Sequence, residues 1–519
     1  MKKLIPVIFV FLAVLAFPHF CFSEDIYVSM TSQGNGSGTD ASNTRSLNWL
    51  NTSSNWSNPK QTGKVGPGDR VHLTGTLTDM VTARGSGSSG APITILFEPG
   101  AKISLPAGSL FSFGGNSYII LDGGQNGVLE NTNNGTGKAY QISPVGIIFT
   151  DAGNIEIKNL TIQNLYTHTS PSDSSIDEGL SGVFYANGHG SNISIHDNTI
   201  HDICWVYNDQ GANTGATGLY FYNNNMWNYD HGVAITGGAP SFSNINIYNN
   251  HFGSTVNWDT YVNKYHHDGL HIYLPLDRTV SNIKLYGNLF DGDWGVNNTA
   301  HIFLEGHHAF GGSDRGISDM KVFNNVFIVY PGRKMNNGIG GFNADSGMVV
   351  CNNTFIGGKA AGGGDICVGT GVLGDIVFKN NLVTSADQLM TSIIGTTSNT
   401  NFDYNLYANG GSNRYVWASN SQSNFNYFSS FTTWQSDIKA DGDSSYVNAA
   451  GLDSTGHPQS GSAAIGAGEN LTSLGISALN RDKAGVSRPS TGAWDIGAYQ
   501  YDTTNTLKPN PPSDVRKAQ

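Results

Sequence analysis

The chain has 519 residues, only 13% of them charged, with 27 Lys and Arg against 39 Asp and Glu. Its formal charge of −12 makes nucleic acid a poor partner, because the phosphate backbone attracts basic surfaces. The 66 glycines and 55 asparagines are unfavourable in helix interiors, while 38% apolar and 11% aromatic residues argue against disorder. The composition therefore predicts a large, turn-rich, all-β protein.

Residues 1–23 have the pattern of a secretory signal peptide. Lys2 and Lys3 precede an apolar run from Leu4 to Phe17, and a small residue, Ser23, stands before the expected cleavage point. We therefore expect a protein that is secreted to the extracellular space, the periplasm or the cell surface. No later apolar stretch approaches the length of a membrane-spanning helix, so no membrane span is predicted.

An eight-residue pattern recurs through the middle of the chain. Its copies are IEIKNLTI from Ile155, ISIHDNTI from Ile193, LYFYNNNM from Leu219, INIYNNHF from Ile245, IKLYGNLF from Ile283, MKVFNNVF from Met320, MVVCNNTF from Met348 and IVFKNNLV from Ile376. Positions one, three and eight are always apolar, which is typical of a strand that buries one face. Position five is always Asn, Asp or Gly, the residue types that tolerate a left-handed conformation.

Position six is Asn in every copy except the first, where it is Leu160. Such a column predicts a ladder of stacked amides along one axis. An antiparallel sandwich would need tight hairpin turns and would not keep one Asn column at this period. The pattern therefore predicts a single-stranded right-handed parallel β-helix. We also expect the aromatic residues at position four, from Tyr222 to Phe323, to form a structural stack.

These Asn-marked rungs resemble those of the pectate-lyase-like β-helix superfamily. GPGDRVHL and SGSSGAPITILFEPGAKI, within residues 66–106, look like its N-terminal capping turns, and SGSAAIGAGENL and GAWDIGAYQY, within residues 460–501, look like its closing segment. The resemblance implies an exported protein of a group that consists mostly of polysaccharide lyases, hydrolases and epimerases. It matches no specific enzyme family, because Gly188-His189-Gly190 fits one polygalacturonase motif without its companion motifs.

The expected organisation has five parts. They are the signal peptide (1–23), an N-terminal cap with the first turns (24–110), the β-helix repeats (111–410), a C-terminal capping region (411–502) and a flexible tail (503–519). We expect a monomer.

A second short strand precedes the repeats, and its five copies are GVAITG from Gly232, GLHIYL from Gly269, HIFLEG from His301, GIGGFN from Gly338 and DICVGT from Asp365. The alternation of these strands predicts where polar side chains face outward. Aligning these strands by their apolar residues places Val233, Leu270, Ile302 and Ile339 inward in one column. Because adjacent rungs are about 4.8 Å apart, outward residues of neighbouring strands should form one compact patch. Insertions on both sides of the patch strengthen this prediction, since long loops on a rigid scaffold often carry function.

The sequence therefore predicts one site on this face. The candidate catalytic residues are His271, Tyr273, Glu305, His301, His267, Asp268 and Lys264. The candidate substrate-binding residues are Trp258, Trp294, Arg315, Asp230, His231 and His307.

The residue types suit cleavage of an extracellular polysaccharide. Elimination on a uronate needs a base, for which Lys264, a histidine or Tyr273 is a candidate. It also needs a positive charge, for which Arg315, Arg333 or Lys334 is a candidate. Hydrolysis needs two carboxyl groups, and Glu305 with Asp268 is the best pair. A lyase is favoured over a hydrolase or an epimerase, and the alternative is a non-catalytic surface, adhesion or glycan-binding protein.

The metal content is left open by the sequence. Ca²⁺ is a candidate ion through loop carboxylates such as Asp230, Asp268, Asp291 and Asp293, although they have no EF-hand spacing. A transition metal is the other candidate, because histidines and carboxylates are close together in the sequence.

Overall fold

The structure is a computed structural model that describes most of the chain after the expected signal peptide. The described residues are 23–135, 138–140, 142, 145–165, 182–238, 240–255, 267–295, 298–307, 316–329, 337–342, 347–357, 376–386, 389–393, 400–411, 415–418 and 426–502. The predictions for the signal peptide and for the tail fall outside these residues. Among the described residues, none of the helices has the length and apolar character needed to cross a membrane.

Within the described residues the strands form three sheets of 25, 9 and 3 members, and successive turns of the chain pair in parallel. Equivalent repeat positions are partners: Ile193 pairs with Leu219, Leu219 with Ile245 and Ile245 with Ile283. The prediction of a parallel β-helix is therefore confirmed. This coil agrees with the resemblance to pectate-lyase-like β-helices.

The 25-stranded sheet covers two faces of the coil. One face contains Asp25–Ser29, Arg70–Leu73, Ile93–Phe97, Ile119–Asn131, Ile155–Leu165, Ile193–His196, Thr217–Tyr222, Phe242–Tyr248, Val280–Tyr286, Ile317–Phe323, Met348–Cys351, Ile376–Lys379 and Thr400–Asp403. The other adds Thr76–Leu77, Lys102–Leu105, Thr199–Ile203, Asn225–Trp227, His251–Phe252, Leu289–Phe290, Val326–Ile328, Thr354–Ile356, Leu382–Thr384, Leu406–Ala408 and Ser445–Val447, and Arg45–Ser46 pairs with the first strand.

The nine-stranded sheet forms the third face. It contains Val81–Thr82, Phe111–Ser112, Val145–Ile148, Gly182–Ala186, Tyr207–Asp209, His231–Ile235, His267–Tyr273, Asn298–Glu305 and Asn337–Phe342. The small sheet contains Met390–Ile393, Tyr415–Ala418 and Asn426–Phe428. The α-helices are Leu47–Leu50 and Phe431–Ile438, and short 3-10 helices are Ser53–Asn55, Leu471–Leu474 and Ser477–Asn480.

Position five of each repeat adopts the left-handed conformation expected of its residue types. Its φ angles lie between 51° and 65° at Asn159, Asp197, Asn223, Asn249, Gly287, Asn324, Asn352 and Asn380. The turn between two faces of the coil therefore holds this position in the left-handed region, which Asn, Asp and Gly tolerate best, although Tyr404 adopts it on the rung of Asn405 with φ 54°.

Position six forms the predicted amide ladder. Each side-chain Nδ2 donates to the Oδ1 of the next asparagine over 3.0–3.3 Å, along Asn198, Asn224, Asn250, Asn288, Asn325, Asn353, Asn381 and Asn405. The same Nδ2 groups also donate to backbone carbonyls of the preceding rung, as Asn288 does to Ile247. The ladder ends at the buried carboxylate of Asp441, which accepts hydrogen bonds from Asn405 and Trp434.

Two aromatic columns run parallel to the ladder. Position-four rings stack with centroids 4.5–4.9 Å apart, in the order His196, Tyr222, Tyr248, Tyr286 and Phe323. Inside the coil, Phe252, Phe290, Phe327 and Phe355 stack in the same way. The predicted structural stack at position four is therefore present.

The C-terminal region lies along the flank of the coil. Asn324 Oδ1 accepts a hydrogen bond from Arg488, and Asn352 and Asn380 donate to the carbonyls of Asp495 and Glu469. These contacts reach three successive position-five residues. This segment therefore covers the side of several rungs, while the helix Phe431–Ile438 precedes the residue that ends the Asn ladder.

Candidate functional site

Four of the five predicted second strands lie side by side in the nine-stranded sheet. The register pairs Val233 with Leu270, Leu270 with Ile302 and Ile302 with Ile339. This is the inward column expected from the apolar residues, and all four side chains are buried. The fifth predicted strand, from Asp365, lies outside the described residues.

Polar side chains collect on and beside these strands. The polar cluster, as we call it, consists of Trp205, Asp230, His231, His267, Asp268, His271, Tyr273 and Glu305. Its members come from four successive rungs of one face, so the parallel register brings together residues that are up to 100 positions apart.

Asp230 is the centre of one half of the cluster. Its Oδ2 accepts a hydrogen bond from Trp205 Nε1 at 2.9 Å and lies 2.9 Å from His231 Nδ1. Its Oδ1 lies 3.3 Å from His267 Nδ1. The indole of Trp205 also stacks on the His231 ring, with centroids 4.2 Å apart. Together these contacts fix the orientation of the His231 imidazole.

The surroundings of Asp230 keep it ionised. Burial alone would raise its pKa, yet the imidazoles of His231 and His267 hold the pKa of this carboxyl well below its ordinary value. A buried carboxylate of this kind needs nearby positive charge or hydrogen-bond donors. The cluster is therefore an electrostatically linked unit.

His271 is the centre of the other half, between two carboxylates. Its Nε2 lies 3.0 Å from Glu305 Oε2, and its Nδ1 lies 3.8 Å from Asp268 Oδ2. The same Asp268 oxygen is 3.7 Å from His231 Nε2, while Asp268 Oδ1 accepts a hydrogen bond from Ala300 N. Asp268 is thus the point at which the two halves of the cluster meet.

The edge of this arrangement at Glu305 reaches the surface, and Trp205 at the opposite end is also partly exposed. His267 and Asp268 are fully buried, whereas the Glu305 side chain is 28% exposed. Tyr273 pairs in register with Glu305 and is 40% exposed, with its ring 6.0 Å from that of His271. A ligand that approaches the edge at Glu305 would therefore meet Tyr273 and Glu305 first.

The structure brings together most of the residues predicted for the site. These are Asp230, His231, His267, Asp268, His271, Tyr273 and Glu305. Neighbouring rungs place their side chains side by side, as the alignment of the second strands predicts. Their chemical roles stay predictions.

Two predicted residues lie inside the coil, and for His301 the expectation of an outward side chain is wrong. His301 packs against Phe290 and Trp294, and Trp294 is 3% exposed in the same core. His301 occupies the position equivalent to Gly269, where a Cβ would lie 2.6 Å from the Phe290 ring. This position within the strand faces inward, as the neighbouring Ile302 also does, so the strict alternation of an extended strand fails there.

His307 donates its hydrogen bond to a residue outside the polar cluster. It is buried, and its Nε2 donates to the carbonyl oxygen of Arg278. This contact ties the end of one strand to the turn after another. Three other predicted site residues, Lys264, Trp258 and Arg315, lie outside the described residues.

Trp205 is a member of the cluster that the sequence analysis missed. Counting back two residues from the pair of Tyr207 and Val233 places Trp205 beside His231 in the same column. Extending the alignment of second strands by one rung toward the N-terminus would have found it. The signal was missed because Tyr207-Asn208-Asp209 lacks the apolar alternation used to recognise these strands.

The Gly188-His189-Gly190 motif does not form part of an accessible site. His189 is fully buried against Phe242, and its Nε2 lies 3.6 Å from Asp209 Oδ1. Burial opposes protonation of His189, but the neighbouring Asp209 leaves its pKa raised. The motif thus supplies an internal ion pair.

The donor atoms for a metal ion are found at one place among the described residues. His231, Asp268 and His271 each offer a ligand atom within 4.8 Å of the others, and all three are buried. Of the carboxylates considered for Ca²⁺, Asp291 contacts His251 at 2.6 Å and Asp293 accepts from the Gly295 amide. No group of three carboxylates forms among the residues that the structure describes, and Ca²⁺ binding stays a prediction.

Comparisons with known proteins give structural matches alone. No protein-family model and no curated protein sequence matches the chain. Its structure is similar to one titled pectate lyase Pel9A, with 15% identity, a TM-score of 0.41 and coverage of 92% of this chain and 97% of that chain. A structure of XylC with xylose has 11% identity, a TM-score of 0.40 and coverage of 77% and 86%.

A third similar structure is an alginate lyase from Paenibacillus sp. str. FPU-7, with 14% identity and a TM-score of 0.35. It covers 76% of this chain and 98% of that chain. These scores are low, so the description of the fold rests on the strand register given above.

Proposed function

We propose that the protein is a secreted carbohydrate-active enzyme that cleaves a uronate-containing extracellular polysaccharide by elimination. The observation that carries the proposal is the edge of the polar cluster. Tyr273 and Glu305, two proton-transfer groups, are partners on adjacent rungs and reach solvent there. A rigid parallel sheet holds both, which is the kind of support that a reactive constellation needs.

Each of these two side chains performs one proton transfer of the elimination. Glu305 removes the proton from C5 of the uronate, and the electron pair forms the C4–C5 double bond. The bond from C4 to the glycosidic oxygen breaks, and the Tyr273 hydroxyl donates its proton to the leaving oxygen. His271 is a positioning residue, because its Nε2 holds Glu305 Oε2 at 3.0 Å.

The buried position of Asp268 argues against hydrolysis by the pair Asp268 and Glu305. Two carboxyl groups that hydrolyse a glycoside must both face the scissile bond. Here the imidazole of His271 lies between them, and Asp268 has no exposed surface. This arrangement favours the lyase over the hydrolase.

The test is incubation of the purified mature chain with acidic and neutral polysaccharides, with absorbance near 235 nm and reducing ends followed in parallel. Elimination predicts new ultraviolet absorbance together with new ends on a uronate polymer. Reducing ends without absorbance would replace the lyase by a hydrolase. If neither the absorbance nor the reducing ends increase and the chain is retained on a glycan, a non-catalytic glycan-binding protein is favoured.

A further inference from the structure

We propose that His231, Asp268 and His271 bind one divalent transition-metal ion of the zinc class. The three ligand atoms lie within 4.8 Å of one another, and each residue is at least nine-tenths buried. They come from two adjacent strands, His231–Ile235 and His267–Tyr273, in which His231 and Asp268 are register partners. The backbone of the sheet therefore fixes their relative positions.

The distances between these groups fit ligands of a common ion. His231 Nε2 and His271 Nδ1 lie 3.7 and 3.8 Å from Asp268 Oδ2. Both separations are longer than a hydrogen bond between nitrogen and oxygen. Two ligands about 2.1 Å from a tetrahedral zinc ion are roughly 3.4 Å apart, so a small inward movement would complete the site.

The contacts of the second ring nitrogen of each histidine support the same assignment. His231 Nδ1 lies 2.9 Å from Asp230 Oδ2, and His271 Nε2 lies 3.0 Å from Glu305 Oε2. Histidines that bind a metal commonly donate their second ring N–H to a carboxylate, which fixes the tautomer. In both histidines the other ring nitrogen, His231 Nε2 and His271 Nδ1, lies on the side of Asp268 Oδ2.

The donor set selects the class of ion. Two imidazole nitrogens and one carboxylate suit zinc and its first-row neighbours, whereas Ca²⁺ and Mg²⁺ prefer oxygen ligands. Three protein ligands also leave a coordination position for water or for an oxygen of a bound molecule. The inference concerns binding alone and holds whichever reaction the protein performs.

The experiment is calorimetric titration of the chelator-treated mature chain with Zn²⁺. We expect one ion per chain, and at least a 100-fold weaker affinity in His231→Ala and in His271→Ala. Asp230→Asn should weaken binding about 10- to 100-fold, since it removes a carboxylate that orients His231. The matched control is His251→Ala, a partly exposed histidine that also contacts a carboxylate, Asp291, and it should bind as the wild type does.

Two results would overturn the proposal. One is a wild-type chain that takes up no stoichiometric Zn²⁺, and the other is unchanged affinity in a folded His231→Ala or His271→Ala variant. Should both variants fail to fold, the wild type is loaded with Co²⁺ instead. Visible absorption of a nitrogen-ligated ion supports the site, and the spectrum of hydrated Co²⁺ contradicts it. Because neither readout uses turnover, a failed lyase assay and a failed metal titration are distinguishable.

Discussion

The asparagine ladder and the polar cluster lie on the same coil and depend on the same parallel register, yet they differ in one respect. In the ladder, every rung from Asn198 to Asn405 contributes the same amide, and each amide repeats the contacts of its neighbour. In the cluster, successive rungs contribute different residues, such as His231 and Asp268 in one column and Tyr273 and Glu305 in another.

This difference separates two uses of a repeated fold. A column of identical side chains has its hydrogen bonds satisfied by its own neighbours, so it stabilises the coil. A column of unlike residues, several of them ionisable and buried, costs stability unless its members pair closely. The polar cluster is therefore the place where the fold departs from its own regularity, and such departures are expected at functional sites.

The largest expected effect is on turnover. Glu305→Gln and Tyr273→Phe should each lower kcat on the cleaved polysaccharide by at least about 100-fold, because each removes a proton-transfer group. Tyr140→Phe, at an exposed tyrosine outside the cluster, is the matched control and should retain full activity. Wild-type rates in both cluster variants would remove the catalytic interpretation of this edge.

A substitution in the middle of the ladder should lower the free energy of unfolding but leave kcat unchanged. Asn288→Ala deletes side-chain hydrogen bonds with Asn250, Ile247 and Asn325 at a fully buried position. We expect a loss of roughly 3 kcal/mol, since buried partners are left unsatisfied. Urea unfolding measures this loss, and Asn225→Ala, at an exposed asparagine, should change stability by less than about 0.5 kcal/mol.

Lowering the pH should reduce the stability of the fold through His301, a histidine that is buried in the core. Burial lowers the pKa of His301 to about 3, and neither ring nitrogen has a hydrogen-bond partner among the described residues. The unfolded chain binds this proton near pH 6.5 and the folded chain does not, so stability falls as the pH drops below 6.5. From pH 7 to 4.5 the loss from this group is about 2.5 kcal/mol.

His301→Leu should remove that part of the acid sensitivity. Unfolding curves of both proteins at pH 7 and pH 4.5 give the comparison directly. An equal loss of stability in the variant and the wild type would show that His301 does not contribute.

The smallest effect concerns the left-handed turn of each rung. Asn249 has φ 55° and an exposed side chain. Asn249→Val should cost about 1–2 kcal/mol, because a β-branched residue is strained there, whereas Asn249→Gly should be close to neutral. If both variants unfold at the same urea concentration, backbone conformation does not explain position five.

The sequence predicted the columns of the coil better than it predicted the side chains of the site. We could identify position five, position six and the inward column from Val233 to Ile339 because each of them repeats on neighbouring rungs. His301 was misplaced because alternation by two residues applies to a regular extended strand and fails beside the register shift between His267 and Asp268. Trp205 was missed because its rung carries Asn208 and Asp209 instead of apolar residues.

The central claim is that the ladder stabilises the coil and the cluster performs the chemistry. Comparing the turnover of Asn288→Ala with that of Glu305→Gln tests it most directly. Both are assayed for the rise in absorbance near 235 nm on a uronate polysaccharide, with rates expressed per folded molecule. Asn288→Ala should match the wild type, and Glu305→Gln should be at least about 100-fold slower. Full activity in Glu305→Gln, or an equal loss in both variants, would contradict the division between a structural ladder and a chemical cluster.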